Sequence, residues 1–158
     1  MIYRFATATL LAQGVVAGRK LESCTTAGVA TCFADASDGD EIELSAGTLS
    51  STDGIDSNTQ LALWSKYASI ACSEDGGACV WQGVIGKRVV WIKDNGGTST
   101  LKGLTIKSGD ISQPGGGLYV RNSNVVLIIV AFINNASTHG GAIYVSDSGS
   151  TTLTLQGC

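Results

Sequence analysis

A glycine-led strand occurs twice in the second half of the chain at a fixed spacing. The segment GGGLYV at 115–120 recurs as GGAIYV at 140–145, an offset of 25 residues. The apolar runs before them, LKGLTIKSG from Leu101 and LIIVAFINN from Leu127, are offset by 26, and TTLTLQGC begins a third unit. Self-similarity at a period of this size indicates an array of stacked structural units.

Each unit consists of short strands. Its apolar runs are about four to six residues long, rich in Val, Ile, Leu and Tyr, and separated by turn-forming residues. A spacing near 25 residues leaves no room for a helix in each unit. Because one unit cannot bury its own apolar side, we expect each to stack on the next, about 4.8 Å away. The sequence therefore predicts an all-β fold, a β-solenoid.

The first half of the sequence predicts further coils, preceded by an N-terminal cap. RVVWIKDN, CVWQG and LALWSKYASIAC each have the pattern of strands that end at polar or glycine corners. Before them, AGVATCFADASDGDEIELSAGT changes from helix-compatible sequence to an alternating strand at Asp38. A helix here would cover the exposed end of the core. We assign the cap helix and first coil to 18–60 and the remaining coils, about five in all, to 61–158.

These segments resemble a known superfamily. Phe132-x-x-Asn135 and Gly140-Gly141-Ala142-Ile143 resemble the FxxN and GGAI repeats of the polymorphic outer membrane proteins. DASDGDEIELSAGT resembles the opening turn of the pectin-lyase-like superfamily, and CVWQGVIGKRVVWI followed by LKGLTIKSG is similar to its early coils. The resemblance covers about residues 35–158. It implies a right-handed parallel β-helix with a short N-terminal capping helix, truncated at its C-terminal end.

The resemblance implies structural roles for the repeat residues. Phe132 would point into the core, and Asn135 would occupy a tight corner, where its amide bonds to the neighbouring coil and its backbone tolerates a left-handed conformation. The glycines would lie where φ is positive or where coils approach closely. The repeat positions are Phe132, Asn135, Ile143, Gly115, Gly116, Gly140 and Gly141.

The N terminus and the cysteines predict export. Residues 1–17 combine Arg4, a mostly apolar core and a small-residue cleavage site, as in a signal peptide; a buried first element of the mature chain is the alternative. Five cysteines suit a secreted or cell-surface protein in an oxidising compartment. No other run is long and apolar enough for a transmembrane helix.

Two disulfides are candidates. Cys72 and Cys79 bracket SEDGGA, a loop of turn residues, and form the favoured pair. Cys24 and Cys32 form a second candidate, although eight residues of continuous helix would hold them about 12 Å apart, too far to bond. Cys158 has no evident partner. No zinc site is expected, since the chain has no C-x-x-C motif and one histidine.

The sequence contains few residues that are candidates for catalysis or metal binding. A net charge of −3 argues against nucleic acid as a partner. A polysaccharide lyase of the pectate lyase type would need clustered carboxylates for Ca²⁺, and Ca²⁺ is expected only in that case. The catalytic candidates are Asp94, Asp110 and Arg121, which would have to converge across coils. The acidic group at 35–43 does not match a calcium-loop motif and suits a solvated turn.

Other motifs have a structural and a functional interpretation. His139 lacks an evident orienting partner and is expected in a surface turn. Asn135-Ala136-Ser137 is a glycosylation sequon, but the repeat turns Asn135 toward the coil. A set of aromatic residues could stack on sugar rings or pack in a core or ladder: Trp64, Trp81, Trp91, Tyr119 and Tyr144. TTLTL resembles ice-binding threonine arrays, but only one coil contains it.

These observations favour a non-catalytic secreted or cell-surface scaffold that contacts polysaccharide or cell-surface glycans, as adhesins do. The alternative is a fragment of a polysaccharide lyase or glycoside hydrolase whose active coils lie wholly or partly downstream. No metal site is assigned in the chain itself.

Overall fold

The protein is a parallel β-solenoid of about four turns with one short helix near its N terminus. The computed structural model describes residues 20–50, 58–73, 79–146 and 149–158. Strand β1 (Lys20–Thr25), a 3₁₀ turn (Thr26–Gly28) and helix α1 (Val29–Asp35) precede the first turn. The predicted signal peptide at 1–17 lies outside the described residues.

The turns follow one another with the same strand order. The first contains β2 (Asp40–Ser45), β3 (Gly47–Leu49) and β4 (Thr59–Trp64). The second contains β5 (Ala68–Cys72), β6 (Cys79–Gln82) and β7 (Arg88–Lys93). The third contains β8 (Thr98–Lys102), β9 (Leu104–Lys107), β10 (Asp110–Ile111) and β11 (Leu118–Arg121). The fourth contains β12 (Asn124–Ile128), β13 (Ala131–Ile133), β14 (Ala136–Ser137) and β15 (Ile143–Val145), and β16 (Thr152–Gln156) follows.

Equivalent strands of successive turns pair to form long sheets. Sheet A has the order β1-β2-β5-β8-β12-β16, sheet B β3-β6-β9-β13 and sheet C β4-β7-β11-β15, and a short sheet joins β10 to β14. The paired strands of these sheets are parallel; for example, Leu101 pairs with Leu127 and Leu127 with Leu155, 26 and 28 residues apart. This stacking confirms the predicted β-solenoid.

The core lies inside the coil and is built from the inward residue of each strand. In sheet C, Leu63, Ile92 and Val120 stand directly opposite one another in successive turns, and each is buried. Burying such a side chain contributes about 1.5–3 kcal/mol. Because the side chains of a strand alternate between its two faces, the intervening residues point outward. Trp91 and Tyr119 are two of these outward residues.

The corners use left-handed residues at equivalent positions. The residue after sheet C has positive φ in three turns: Ser65, Asp94 and Asn122. At the corner between sheets A and B the corresponding residues are Gly103, Ile129 and Gly157, with φ of 68°, 53° and 64°. Backbone hydrogen bonds place them in register, Gly103 N–H to the Ile128 carbonyl and Ile129 N–H to the Gln156 carbonyl. Only one of these three positions has a side chain.

Both candidate disulfides are present. The Cα atoms of Cys72 and Cys79 are 5.7 Å apart, and those of Cys24 and Cys32 are 6.3 Å apart. The second pair can bond because Cys24 lies in β1 and the chain reverses at the 3₁₀ turn before α1 begins. Continuous helix between the two cysteines, the obstacle considered from sequence, does not occur. Cys158 is a free, exposed thiol.

Helix α1 lies at the N-terminal side of the first turn. Val29 and Phe33 on its inner face are buried in the core. Two disulfides indicate folding in an oxidising, extracellular type of environment. Among the described residues no helix is long and apolar enough to span a bilayer.

Candidate functional site

The Phe132–Val145 stretch forms corners and strands of the fourth turn. The Asn135 amide nitrogen donates to the Ile106 carbonyl at 2.9 Å, and its amide oxygen accepts from the Gly109 N–H at 2.9 Å. Asn135 therefore links the fourth turn to the third. The left-handed residue at this corner is Asn134, with φ of 52°, one position before the residue that the resemblance suggested.

The repeat glycines lie where coils meet closely. Gly115 and Gly140 have φ of 78° and 62°. A Cβ on Gly141 would stand 2.6 Å from the Asn135 carbonyl oxygen, and one on Gly116 would collide with the Ala136 carbonyl. Such contacts exclude any side chain at these positions without movement of the backbone.

Phe132 and Ile143 are half-buried and pack against the core. Phe132 is paired with Ile106, which is fully buried because a strand covers it on both sides. Phe132 has a paired strand on one side only among the described residues, and this explains its partial exposure. His139 is exposed; its Nδ1 lies 3.2 Å from the Thr138 hydroxyl, and its carbonyl accepts from the Gly115 N–H.

The three weak catalytic candidates do not form one cluster. Asp94 and Arg121 lie together where sheet C turns toward sheet A, since the Asp94 N–H donates to the Arg121 carbonyl at 3.3 Å. Asp110 forms backbone bridges with Ile85 and Lys87, before the start of β7. Because Asp94 follows the end of β7, the length of that strand, about 20 Å, separates Asp110 from the other two.

Asp94 is held as a carboxylate at this corner. The Asn122 amide donates to it at 2.8 Å, and the Lys93 ammonium lies 3.4 Å away. The hydrogen bond from Asn122 lowers the pKa of Asp94, and Lys93 and Arg121 lower the pKa further through hydrogen bonding and charge. The carboxylate is exposed and ionised at neutral pH.

Four aromatic rings form a ladder on the outer face of sheet C. We call Trp64, Trp91, Tyr119 and Tyr144 the aromatic ladder. Consecutive ring centroids lie 5.1, 5.2 and 5.4 Å apart, and the last two rings are stacked. All four rings are half-buried. Trp81, grouped with them from sequence, is instead fully buried in sheet B and belongs to the core.

Basic side chains lie on the ladder. The Arg88 guanidinium is 5.0 Å from the Trp91 ring centroid and 4.7 Å from that of Tyr119. The Lys93 ammonium is 5.4 Å from the Trp64 centroid. Cation–π contacts contribute about 0.5–1 kcal/mol at exposed sites and about 2 kcal/mol when desolvated; Arg88 is buried. The sequence pattern did not predict the position of Arg88, which comes three residues before Trp91 and reaches the ladder from the start of β7.

A polar cleft of about 260 Å³ borders this face at the corner between sheets C and A. Its lining combines the Asp94 carboxylate with amides, hydroxyls and glycines: Asn95, Gly96, Gly97, Asn122, Ser123, Asn124 and Ser150. Tyr119 lies in β11, and the end of that strand at Arg121 directly precedes Asn122 of this lining. Aromatic surface and hydrogen-bonding groups are therefore neighbours here.

The acidic group at 35–43 has local roles in its turn. The Asp38 carboxylate accepts from the Tyr67 N–H at 3.1 Å, and that of Asp40 accepts from the Ser37 N–H at 2.9 Å. Within the described ranges, no group of three or more His, Cys, Asp or Glu side chains could hold a metal ion.

Comparisons with protein-family models, with curated proteins and with solved structures each found no significant match to this chain.

Proposed function

We propose that the protein is a secreted or cell-surface scaffold that contacts carbohydrate through the outer face of sheet C. The observation that supports this function is the aromatic ladder, with its half-exposed rings beside the polar cleft. Two disulfides support the extracellular location. Residues 1–17 supply the export signal in this proposal.

The chemistry of this face suits a sugar. A sugar ring has apolar C–H faces and hydroxyl groups around its edge, so it needs aromatic surface and hydrogen-bonding groups side by side. The ladder offers aromatic surface along three strand spacings, about 15 Å. The Tyr119 and Tyr144 hydroxyls and the Asp94 carboxylate offer donors and acceptors along its margin.

Tyr144 is the last ring of the ladder among the described residues. Tyr119 is covered on one side by Arg88 and Trp91 and on the other by Tyr144. Tyr144 has a described ring on one side only, that of Tyr119. We place a sugar contact at Tyr144, with the chain of sugars extending toward Tyr119 and the polar cleft.

The test is binding to a panel of cell-wall polysaccharides by affinity electrophoresis and by pull-down on insoluble glycans. Tyr144→Ala should weaken binding by about 30-fold, the effect of losing about 2 kcal/mol at an aromatic contact. Ile85→Ala is the control, because Ile85 is exposed on a different corner. Equal binding by the two variants, or no binding by the unmodified protein, would contradict the proposal.

The same preparation distinguishes a scaffold from an enzyme. Release of unsaturated uronides or reducing sugars from a bound polysaccharide would favour the lyase or glycosidase alternative. Binding without turnover would favour a scaffold of the adhesin type. We also propose a relationship to the pectin-lyase-like superfamily and its FxxN and GGAI repeats; the cross-coil hydrogen bonds of Asn135 support it.

A further inference from the structure

A second cleft, of about 550 Å³, separates α1 from the first strand of sheet C. We call it the helix cleft. Three alanines, two aromatic rings and one lysine contribute to its walls: Ala30, Ala34, Ala62, Phe33, Trp64 and Lys66. Thr31 completes the described lining. Small-molecule sites have volumes of about 300–1,000 Å³, apolar walls and a few placed polar groups, and the helix cleft has each of these properties.

The one charged group in this lining is held in place. The Lys66 ammonium donates to the Ala34 carbonyl at 2.7 Å and the Ala36 carbonyl at 2.8 Å, at the C-terminal end of α1. It also lies 5.3 Å from the Phe33 ring centroid. An ammonium has three N–H donors, so one remains for a further acceptor. Because Lys66 is already ordered, a ligand that binds it loses little side-chain entropy.

Lys66 gives the described lining of the helix cleft a positive charge. No carboxylate belongs to the described lining, and Lys66 has no ion pair within the described part of the chain. Lys93, whose ammonium lies 5.4 Å from the Trp64 ring centroid, adds a second positive charge beside that ring, partly neutralised by Asp94. The charged groups that line the helix cleft or contact the Trp64 ring are therefore cations.

We propose that the helix cleft binds a small organic anion with an apolar body, such as an aromatic carboxylate or sulfonate. Its apolar body would lie between Phe33, Ala62 and Trp64, and its anionic group would accept from the third N–H of Lys66. This site is separate from the polysaccharide contact at Tyr144, which lies at the other end of the aromatic ladder.

Two fluorescent probes test the charge preference. Anilinonaphthalene sulfonate carries an apolar body and an anionic group, and phenylnaphthylamine is its neutral counterpart. Lys66→Gln should weaken sulfonate binding about tenfold, as expected for losing a charge-assisted hydrogen bond, and leave the neutral probe nearly unchanged. Lys87→Gln, which removes a half-buried lysine elsewhere, should change neither affinity.

A cleft-filling variant tests the location. Ala62→Leu places a larger side chain in the helix cleft and should abolish binding of both probes. Ala71→Leu is the matched control, because Ala71 is also a half-buried alanine on the outer face of a strand, in sheet A. Thermal unfolding of each variant shows whether a loss of binding reflects a loss of the fold.

Equal effects of the compared variants on probe binding would overturn the proposed site. If Ala62→Leu and Ala71→Leu change probe binding alike in folded protein, the probes bind elsewhere. If Lys66→Gln weakens both probes equally, or neither, the cleft has no preference for anions. Polysaccharide binding should persist in Ala62→Leu, so failure of this proposal is distinguishable from failure of the carbohydrate contact.

Discussion

Ile129 should be a site where removing a side chain stabilises the protein. This β-branched residue has φ of 53°, at a corner where the turns on either side have Gly103 and Gly157. A non-glycine residue in the left-handed region costs about 1–3 kcal/mol, and β-branching makes such a conformation a clear outlier. The Ile129 side chain is 64% exposed, so it recovers little of this cost through burial.

The magnitude follows from two opposing effects. Ile129→Gly relieves about 2 kcal/mol of backbone strain. It also costs about 1 kcal/mol, because glycine gains backbone entropy in the unfolded chain and some packing over Gly157 is lost. We expect a net gain of about 1 kcal/mol in the free energy of unfolding.

The assay is equilibrium urea unfolding of the oxidised protein, followed by tryptophan fluorescence. Ile85→Gly is the matched control, since Ile85 is 87% exposed and its φ is not positive. It should destabilise by about 1 kcal/mol through chain entropy alone. The difference between the variants, about 2 kcal/mol, measures the strain. Equal destabilisation by both changes would refute the argument.

Three further predictions concern two side-chain hydrogen-bonding contacts between coils and one disulfide within a coil. Asn135→Ala should destabilise by about 2 kcal/mol in urea unfolding, since it removes two hydrogen bonds to backbone groups of the third turn. Replacing both Cys72 and Cys79 by serine should cost roughly 2.5 kcal/mol, the loop entropy for a separation of 7 residues, provided that m stays constant. Asn122→Gly, which tolerates the positive φ there, should raise the pKa of Asp94 in an NMR titration. The pKa of Asp94 is lower in the folded than in the unfolded state, so the Asp94 carboxylate stabilises the protein above about pH 4. This contribution is lost as the pH falls through the folded-state pKa, and Asn122→Gly should reduce the loss.

Much of the fold follows from local patterns. The offset between Leu101 and Leu127 predicted the stacking register, because identical coils can bury a continuous core only when equivalent strands lie beside each other. The Cys72–Cys79 pair was also predictable from the sequence, because a short loop of turn residues brings its two ends together. The Cys24–Cys32 pair could not be decided from the sequence, because it depends on where α1 begins.

The candidate site was predicted only in part. Tyr119 and Tyr144 were expected to stack because the repeat makes them equivalent. The inward or outward direction of Trp64, Trp81 and Trp91 was not predictable, since an apolar residue directly precedes each of them and alternation does not reveal which face is buried. The supposed meeting of Asp94 and Asp110 failed because the two carboxylates lie at opposite ends of a strand.

The sequence by itself determined the repeat, the strands and the positions of the corners, since each depends on residues close together in the chain. The tertiary structure decided what those elements present to solvent. It separated the buried Trp81 from the half-buried ladder, joined Asn135 to the third turn and formed the helix cleft beside Lys66. These features depend on pairs of residues about 30 positions apart, such as Lys66 and Ala36, which become neighbours only when the coils stack. Periodicity predicts that stacking occurs, but the direction of each side chain depends on the register and twist of the coils on either side.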